Sequence, residues 1–156
     1  MLKMKSDSIS TQPRKATLFP RKVNKIYYSH SMYYYNTTTE EKDLEFLSSR
    51  GTTVNPNGLN LGKSMSPYLK TVQNCDSVWH RGDTIGVAME VLTALALDKP
   101  VYSLESTGKT TASEKSLFIS IFKTSGFTEH DKNLILSLFG KNISTKFGRI
   151  LKGNFK

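Results

Sequence analysis

The sequence predicts an α/β fold: a parallel sheet of four to five strands with helices on both faces, followed by C-terminal helices. Three observations predict it. Short runs rich in β-branched and aromatic residues alternate with longer helical stretches between residues 24 and 105. The connections between them are short, as in strand–helix–strand units that pair in parallel. After Glu105 the pattern changes to amphipathic helical spacing. The 156 residues leave room for one domain with a real core, and 37% hydrophobic with 22% charged residues is the balance of a folded globular chain.

Residues 1–22 mix Ser, Thr, Pro and basic residues without periodicity and read as a basic irregular arm, with Pro13 and Pro20 opposing a long helix. Residues 23–106 read as the α/β core. Its first strand is 24–29, Asn-Lys-Ile-Tyr-Tyr-Ser, ending in the polar string His30 to Thr37. A helix follows from about Thr38 to Ser49. Leu44, Phe46 and Leu47 form its buried stripe, and Glu40, Glu41, Lys42 and Asp43 its exposed start; Arg50-Gly51 ends it. Thr52 to Asn55 is a second strand, closed by Pro56-Asn57-Gly58. A helix from Met65 or Pro67 to Asn74 leads to the third strand, Asp76 to His80, with Trp79 in the core.

The chain then runs through Arg81-Gly82-Asp83 into a helix over 84–98. Lys99-Pro100 breaks that helix and launches the fourth strand, Val101 to Leu104. This order suits a Rossmann-like or flavodoxin-like sheet. Residues 107–156 read as a helical extension: a loop from Gly108 to Ala112, helices over 114–124 and 129–139, and Gly140 as the stop signal. Residues 143–156 read as a basic tail with enough apolar residues (Ile143, Phe147, Ile150, Leu151, Phe155) to dock on a surface, a second subunit among the candidates.

The net charge of +9 sits at the ends. Residues 1–26 carry seven Lys/Arg and one Asp, residues 141–156 carry five Lys/Arg and no acid, and the middle is slightly acidic. A dedicated nucleic-acid surface is therefore not expected, only weak, salt-sensitive attraction through the basic ends. No apolar run is long enough for a membrane span, and the first residues have no apolar stretch of the signal-peptide kind. Cys75 is the single cysteine, which fits a reducing compartment; the expected localisation is cytoplasmic.

The helix over 84–98 has one charge in its apolar stretch, Glu90. Thr84 or Asp83 supplies an N-cap oxygen, and Gly86 and Ala88 keep the first turns thin. A helix apolar on nearly every face is buried on nearly every face, so Glu90 must be desolvated, paired or turned into a cleft. Favourable placement near the helix start and a narrow solvated strip are the structural alternatives. In open α/β sheets ligands bind beyond the carboxyl ends of the strands. Those ends here are Ser29-His30-Ser31, Asn55-Pro56-Asn57, His80-Arg81-Gly82-Asp83 and Glu105-Ser106. The start of the 84–98 helix offers free N–H groups to a phosphate, Gly82 and Gly86 let the backbone come close, and Glu90 lies deeper in. A phosphate at one end and an electrophilic carbon at the other is the layout of a sugar phosphate or nucleotide, and a carboxylate can attack an anomeric carbon. His30 and His80 flank the same rim, where a histidine is also a common structural hydrogen-bonder. The three histidines and Cys75 lack metal-ligand spacing, and no dinucleotide fingerprint, P-loop or G-x-S-x-G elbow is present, so neither metal nor cofactor is expected.

Three stretches carry a resemblance to a known family: Lys25-Ile-Tyr-Tyr-Ser-His-Ser-Met32; Cys75-Asp-Ser-Val-Trp79; and Thr84-Ile-Gly-Val-Ala-Met-Glu-Val91 with Ala94 and Lys99-Pro-Val-Tyr102. Over roughly residues 24–105 the chain resembles the nucleoside 2-deoxyribosyltransferase-like superfamily, which includes deoxyribosyltransferases and nucleoside 5'-monophosphate N-glycosidases. The resemblance implies that Glu90 is the nucleophile that attacks C1' and expels the base, and that water or a second base resolves the glycosyl-enzyme. Thr84 falls where the monophosphate glycosidases carry a hydroxyl, which implies a nucleotide substrate and hydrolysis. Ser29, His30 and Ser31 would meet the sugar phosphate or base, with Arg81, Gly82 and Gly86 on the same rim. Tyr33 and Tyr35 would stack, unless Tyr33-Tyr34-Tyr35 are interface aromatics. Asp76 and Asp83 are candidates for positioning the base or protonating the leaving group. The first loop departs from the family by carrying His30 where a glycine is usual. The family builds its sites at subunit interfaces, which implies a homodimer or higher homo-oligomer. Two other classes stay open: a non-catalytic nucleotide-binding or sensing domain on the same fold, and a nucleic-acid-associated protein using its basic ends.

Overall fold

The structure, a computed structural model, describes residues 24–155 apart from 60, 63, 126 and 127. The arm expected over 1–22 lies outside the described residues, as do Gly126 and Phe127 of the turn between two C-terminal helices. Five strands form one sheet: β1 (Lys25–His30), β2 (Thr52–Val54), β3 (Ser77–Arg81), β4 (Val101–Ser103) and β5 (Gly108–Lys109). Their spatial order is β2-β1-β3-β4-β5. The first four are parallel and β5 joins β4 antiparallel. This is a mixed α/β fold of the Rossmann-like or flavodoxin-like kind, and its strand order reverses between β1 and β3.

β1 is the central strand, and its alternation sorts the two cores. Ile26 and Tyr28 face one side, where Trp79 and Leu104 join them under Leu47 of α1 (Thr38–Ser48). Tyr27 faces the other side with Val78 and Val101. That second core is covered by α2 (Ser66–Gln73), α3 (Ile85–Ala96), α4 (Ala112–Thr124), α5 (Thr128–Phe139) and α6 (Lys141–Leu151). α3 lies between the sheet and its helical neighbours α2, α4 and α6, which explains why it is apolar nearly all round.

The structure corrects four expectations. Gly108 and Lys109, expected in a loop, add a short antiparallel strand. The tail after Gly140 is a helix whose apolar residues bury against this chain's own core, with Phe122 and Phe147 ring to ring at 5.3 Å. Ile143, Phe147, Ile150 and Leu151 recur at helical spacing, and Gly140 at φ 88 turns the chain between α5 and α6. Thr84 occupies the N-cap position of α3, but its side chain makes no capping bond. Finally, Glu40 and Asp43 are not part of an exposed helix start. Both are buried, because their carboxylates take donors from the β1 and β3 ends and from neighbouring loops. Among the described residues no helix is long and apolar enough to cross a membrane.

Candidate functional site

A cavity of about 960 Å³ opens at the carboxyl end of β1, beside the first turns of α3. Its walls are the segment after β1 (Ser31, Met32, Tyr33, Tyr35), the segment between β2 and α2 with Tyr68, and Thr84 to Val87 of α3 with Glu90. This is the crevice expected where strand order reverses.

Glu90 is 6% exposed and lies one turn inside α3. Tyr27 Oη donates to Oε2 at 2.5 Å and Ser29 Oγ to Oε1 at 2.7 Å. Tyr27 and Ser29 are two apart on β1, so both side chains leave the sheet on the side of α3. No cation reaches this carboxylate among its resolved partners. Burial pushes Glu90 up to about 7, with the two hydroxyl donors opposing. Near neutral pH it therefore exchanges between acid and carboxylate, and a carboxylate in such a site is a poorly solvated, reactive anion. Burial and the neighbouring Glu90 together hold the Tyr27 phenol firmly protonated. Tyr35 lines the cavity too, its phenol pushed up to about 12 by burial and then by Glu90 and Tyr68.

Of the residues singled out from the sequence, Ser31, Tyr33, Tyr35, Thr84, Gly86 and Glu90 come together around the cavity, and Ser29 stands behind Glu90. His30 belongs to the wall, but its side chain is wholly covered and both ring nitrogens are engaged, by the Tyr28 carbonyl at 3.0 Å and Glu40 at 2.7 Å. It has no nitrogen left for a ligand. Gly82, at φ 89, lets the chain pass within 3.0 Å of the Ser31 side chain, where a Cβ would crowd it.

Besides Gly82, which backs Ser31 without lining the cavity, three candidates are not brought in. Asp76 sits just before β3, at the opposite end of the sheet, where its carboxylate accepts the Lys25 N–H at 2.8 Å. Arg81 turns to the α1 side and grips Asp43 through two nitrogens at 2.6 and 2.9 Å. Asp83 is exposed and outside the cavity wall. His80 is buried under α4, bonded to Thr110 Oγ1 at 2.7 Å, and burial lowers it to about 4, so it is neutral. Cys75 is buried and its thiol is raised by burial to about 11, which suits packing and not reactivity. Among the described residues no His, Cys, Asp and Glu side chains cluster as a metal site would.

The sequence reading placed Asn57 on the rim but missed Tyr27 and Glu40 as site-building residues. A signal was present for Tyr27: polar atoms at 27 and 29, on one face of a strand that must be buried on both faces, require a polar partner. No family model matches the chain, and comparison with curated proteins and with solved structures found no match either.

Proposed function

We propose that this chain cleaves the N-glycosidic bond of a nucleoside 5'-monophosphate or (deoxy)nucleoside, with Glu90 as the nucleophile. The observation that carries the reading is the pair of hydroxyl donors that aims Glu90, uncompensated by any cation among its resolved partners, at the foot of an open cavity. Glu90 attacks C1', a C–O bond forms as the C–N bond breaks, and the bonding electrons leave with the base, which takes up a proton from solvent. Water then attacks C1', gives its proton back to solvent, returns the carboxylate and releases the sugar; a second base in place of water gives exchange. The phosphate end of a nucleotide suits Thr84 and the first N–H groups of α3, which its hydroxyl leaves uncapped. The resemblance over residues 24–105 supports the same reaction. It also carries assembly into a homo-oligomer, with the exposed Met32 and Tyr33 at the cavity mouth as interface.

A panel of nucleosides and nucleoside monophosphates, chromatographed for free base, tests the reaction. Release from at least one compound is expected, rising with pH through about 7 as Glu90 ionises. No release from any compound would sink it.

A second reading is a domain that binds nucleotides without turnover. It is favoured by one observation: among the described residues lining the cavity, Glu90 is the sole carboxylate, so no second acid stands ready to protonate a leaving base. It predicts binding without product, little changed by Glu90→Gln.

A further inference from the structure

We propose that Glu40 is the positioning residue of the cavity, tying the wall segment after β1, which holds Ser31 and Tyr35 against the substrate, to the segment after β2. The proposal rests on the glycosidase reading and deepens it. Glu40 is 5% exposed and does not itself line the cavity. Its carboxylate takes His30 Nε2 at 2.7 Å, the Asn36 N–H at 2.9 Å, and Asn57 Nδ2 on both oxygens at 3.1 and 3.0 Å. His30 and Asn36 bracket the wall segment after β1, and Asn57 belongs to the segment between β2 and α2. His30 ends β1, next to Ser31. Asn36 follows Tyr35 and turns the chain at φ 60. Asn57 stands between Pro56 and Gly58, both on the cavity surface.

His30 is held at both ring nitrogens, Nδ1 against the Tyr28 carbonyl and Nε2 against Glu40. Burial alone would raise Glu40, but the His30, Asn36 and Asn57 donors outweigh it and hold the carboxyl below its usual range. The His30 ring lies flat on Tyr28 at 3.6 Å, and Tyr35 leans on it at 4.9 Å. Displacing His30 therefore displaces Tyr35. A buried hydrogen-bond network contributes modest net stability; what this one does is fix the geometry of the cavity wall, the support that a binding site needs.

The test compares Glu40→Ala, Glu40→Gln and Asn57→Ala by steady-state base release and by amide hydrogen exchange without substrate. Glu40→Ala is expected to raise KM about tenfold with kcat changed less than about threefold, and to speed exchange at residues 31–36 and 57–59 while α3 stays protected. Glu40→Gln restores the tie, its amide donating to His30 Nε2 and its oxygen accepting from Asn36 and Asn57, and keeps KM within about threefold. Asn57→Ala cuts one tie from a half-buried position and gives an intermediate effect even where Glu40→Ala fails to fold. A lower melting temperature with KM and local exchange unchanged in the variants would overturn the proposal. A wild type that releases no base overturns the reaction beneath it. In that case faster exchange at the two segments in Glu40→Ala still supports the tie, and unchanged exchange removes it.

Discussion

Tyr27 and Tyr28 are neighbours on β1, and each hands its hydroxyl to a buried carboxylate at 2.5 Å, on opposite faces of the sheet. On the α1 face the acceptor is Asp43, and Arg81 closes the site with two further bonds. On the α3 face the acceptor is Glu90, and its second partner is a neutral hydroxyl, Ser29. The same strand thus builds two tyrosine–carboxylate pairs with different consequences. Where a guanidinium completes the pair, the charge is neutralised and the group clamps α1 to the sheet. Where none does, burial raises the carboxyl to about 7 and leaves it facing a cavity. What separates a structural carboxylate from a candidate reactive one is the missing cation and the open side, not the tyrosine.

The sharpest way to break this contrast is Glu90→Gln. Base release should fall at least about a thousandfold, because the amide keeps the shape and the hydroxyl partners but cannot attack C1'. Measured on the best compound of the panel, a loss under tenfold would remove Glu90 from the chemistry.

Arg81→Leu tests the other face. It should destabilise the fold by about 2 kcal/mol in urea denaturation, since Asp43 keeps Tyr28 but loses its charge partner; the loss is below that of a fully buried pair because a fifth of the Arg81 side chain is exposed. The cavity face should be touched less, and base release should stay within about threefold.

Glu90 has its folded pKa raised from 4.5 to about 7, so its contribution is fully present below about 4.5 and is lost as pH rises through 7. Glu90→Gln should therefore stabilise the protein relative to wild type at pH 8, by roughly 1–3 kcal/mol, and much less at pH 4.5. The low-pH destabilisation expected from His80 runs the other way. Its depressed pKa contributes stability above about 6.5 that is lost as pH falls through about 4, but it is common to both proteins and cancels in the comparison. Equal melting-temperature differences at both pH values would contradict the burial assigned to Glu90.

The smallest expected effect compares Tyr27→Phe with Tyr28→Phe. Losing the Tyr27 hydroxyl removes a donor that favours the Glu90 carboxylate, so the pH–rate curve should move up by about one unit, whereas Tyr28→Phe should leave that curve in place and cost about 1 kcal/mol of stability. A shift of the curve in Tyr28→Phe alone would exchange the roles given to the two faces.

Much of this was legible from local pattern. The strand–helix order, the near-uniform apolarity of the helix carrying Glu90, and the crevice beyond the strand ends all follow from periodicity, turn residues and the parallel-sheet rule. The polar residues of α1 misled, because Glu40 and Asp43 read as a solvated helix start. Their burial depends on Arg81, 38 residues on from Asp43, and on Asn57, 17 on from Glu40. The C-terminal tail misled differently: its apolar residues were expected to dock on a surface, a second subunit among the candidates, while their spacing was that of a helix that packs into this chain's own core.

From sequence alone, then, came the α/β class, the placement of Glu90 in a buried helix and the rim it faces, because these are set by spacings within a few residues. The state of each carboxylate was decided only in three dimensions. Glu90 takes its donors from 63 and 61 residues away, and Glu40 ties the segment after β1 to the segment after β2. Desolvation and hydrogen bonding act over a few ångströms regardless of chain separation, so a carboxylate's chemistry is written by whatever the fold sets beside it.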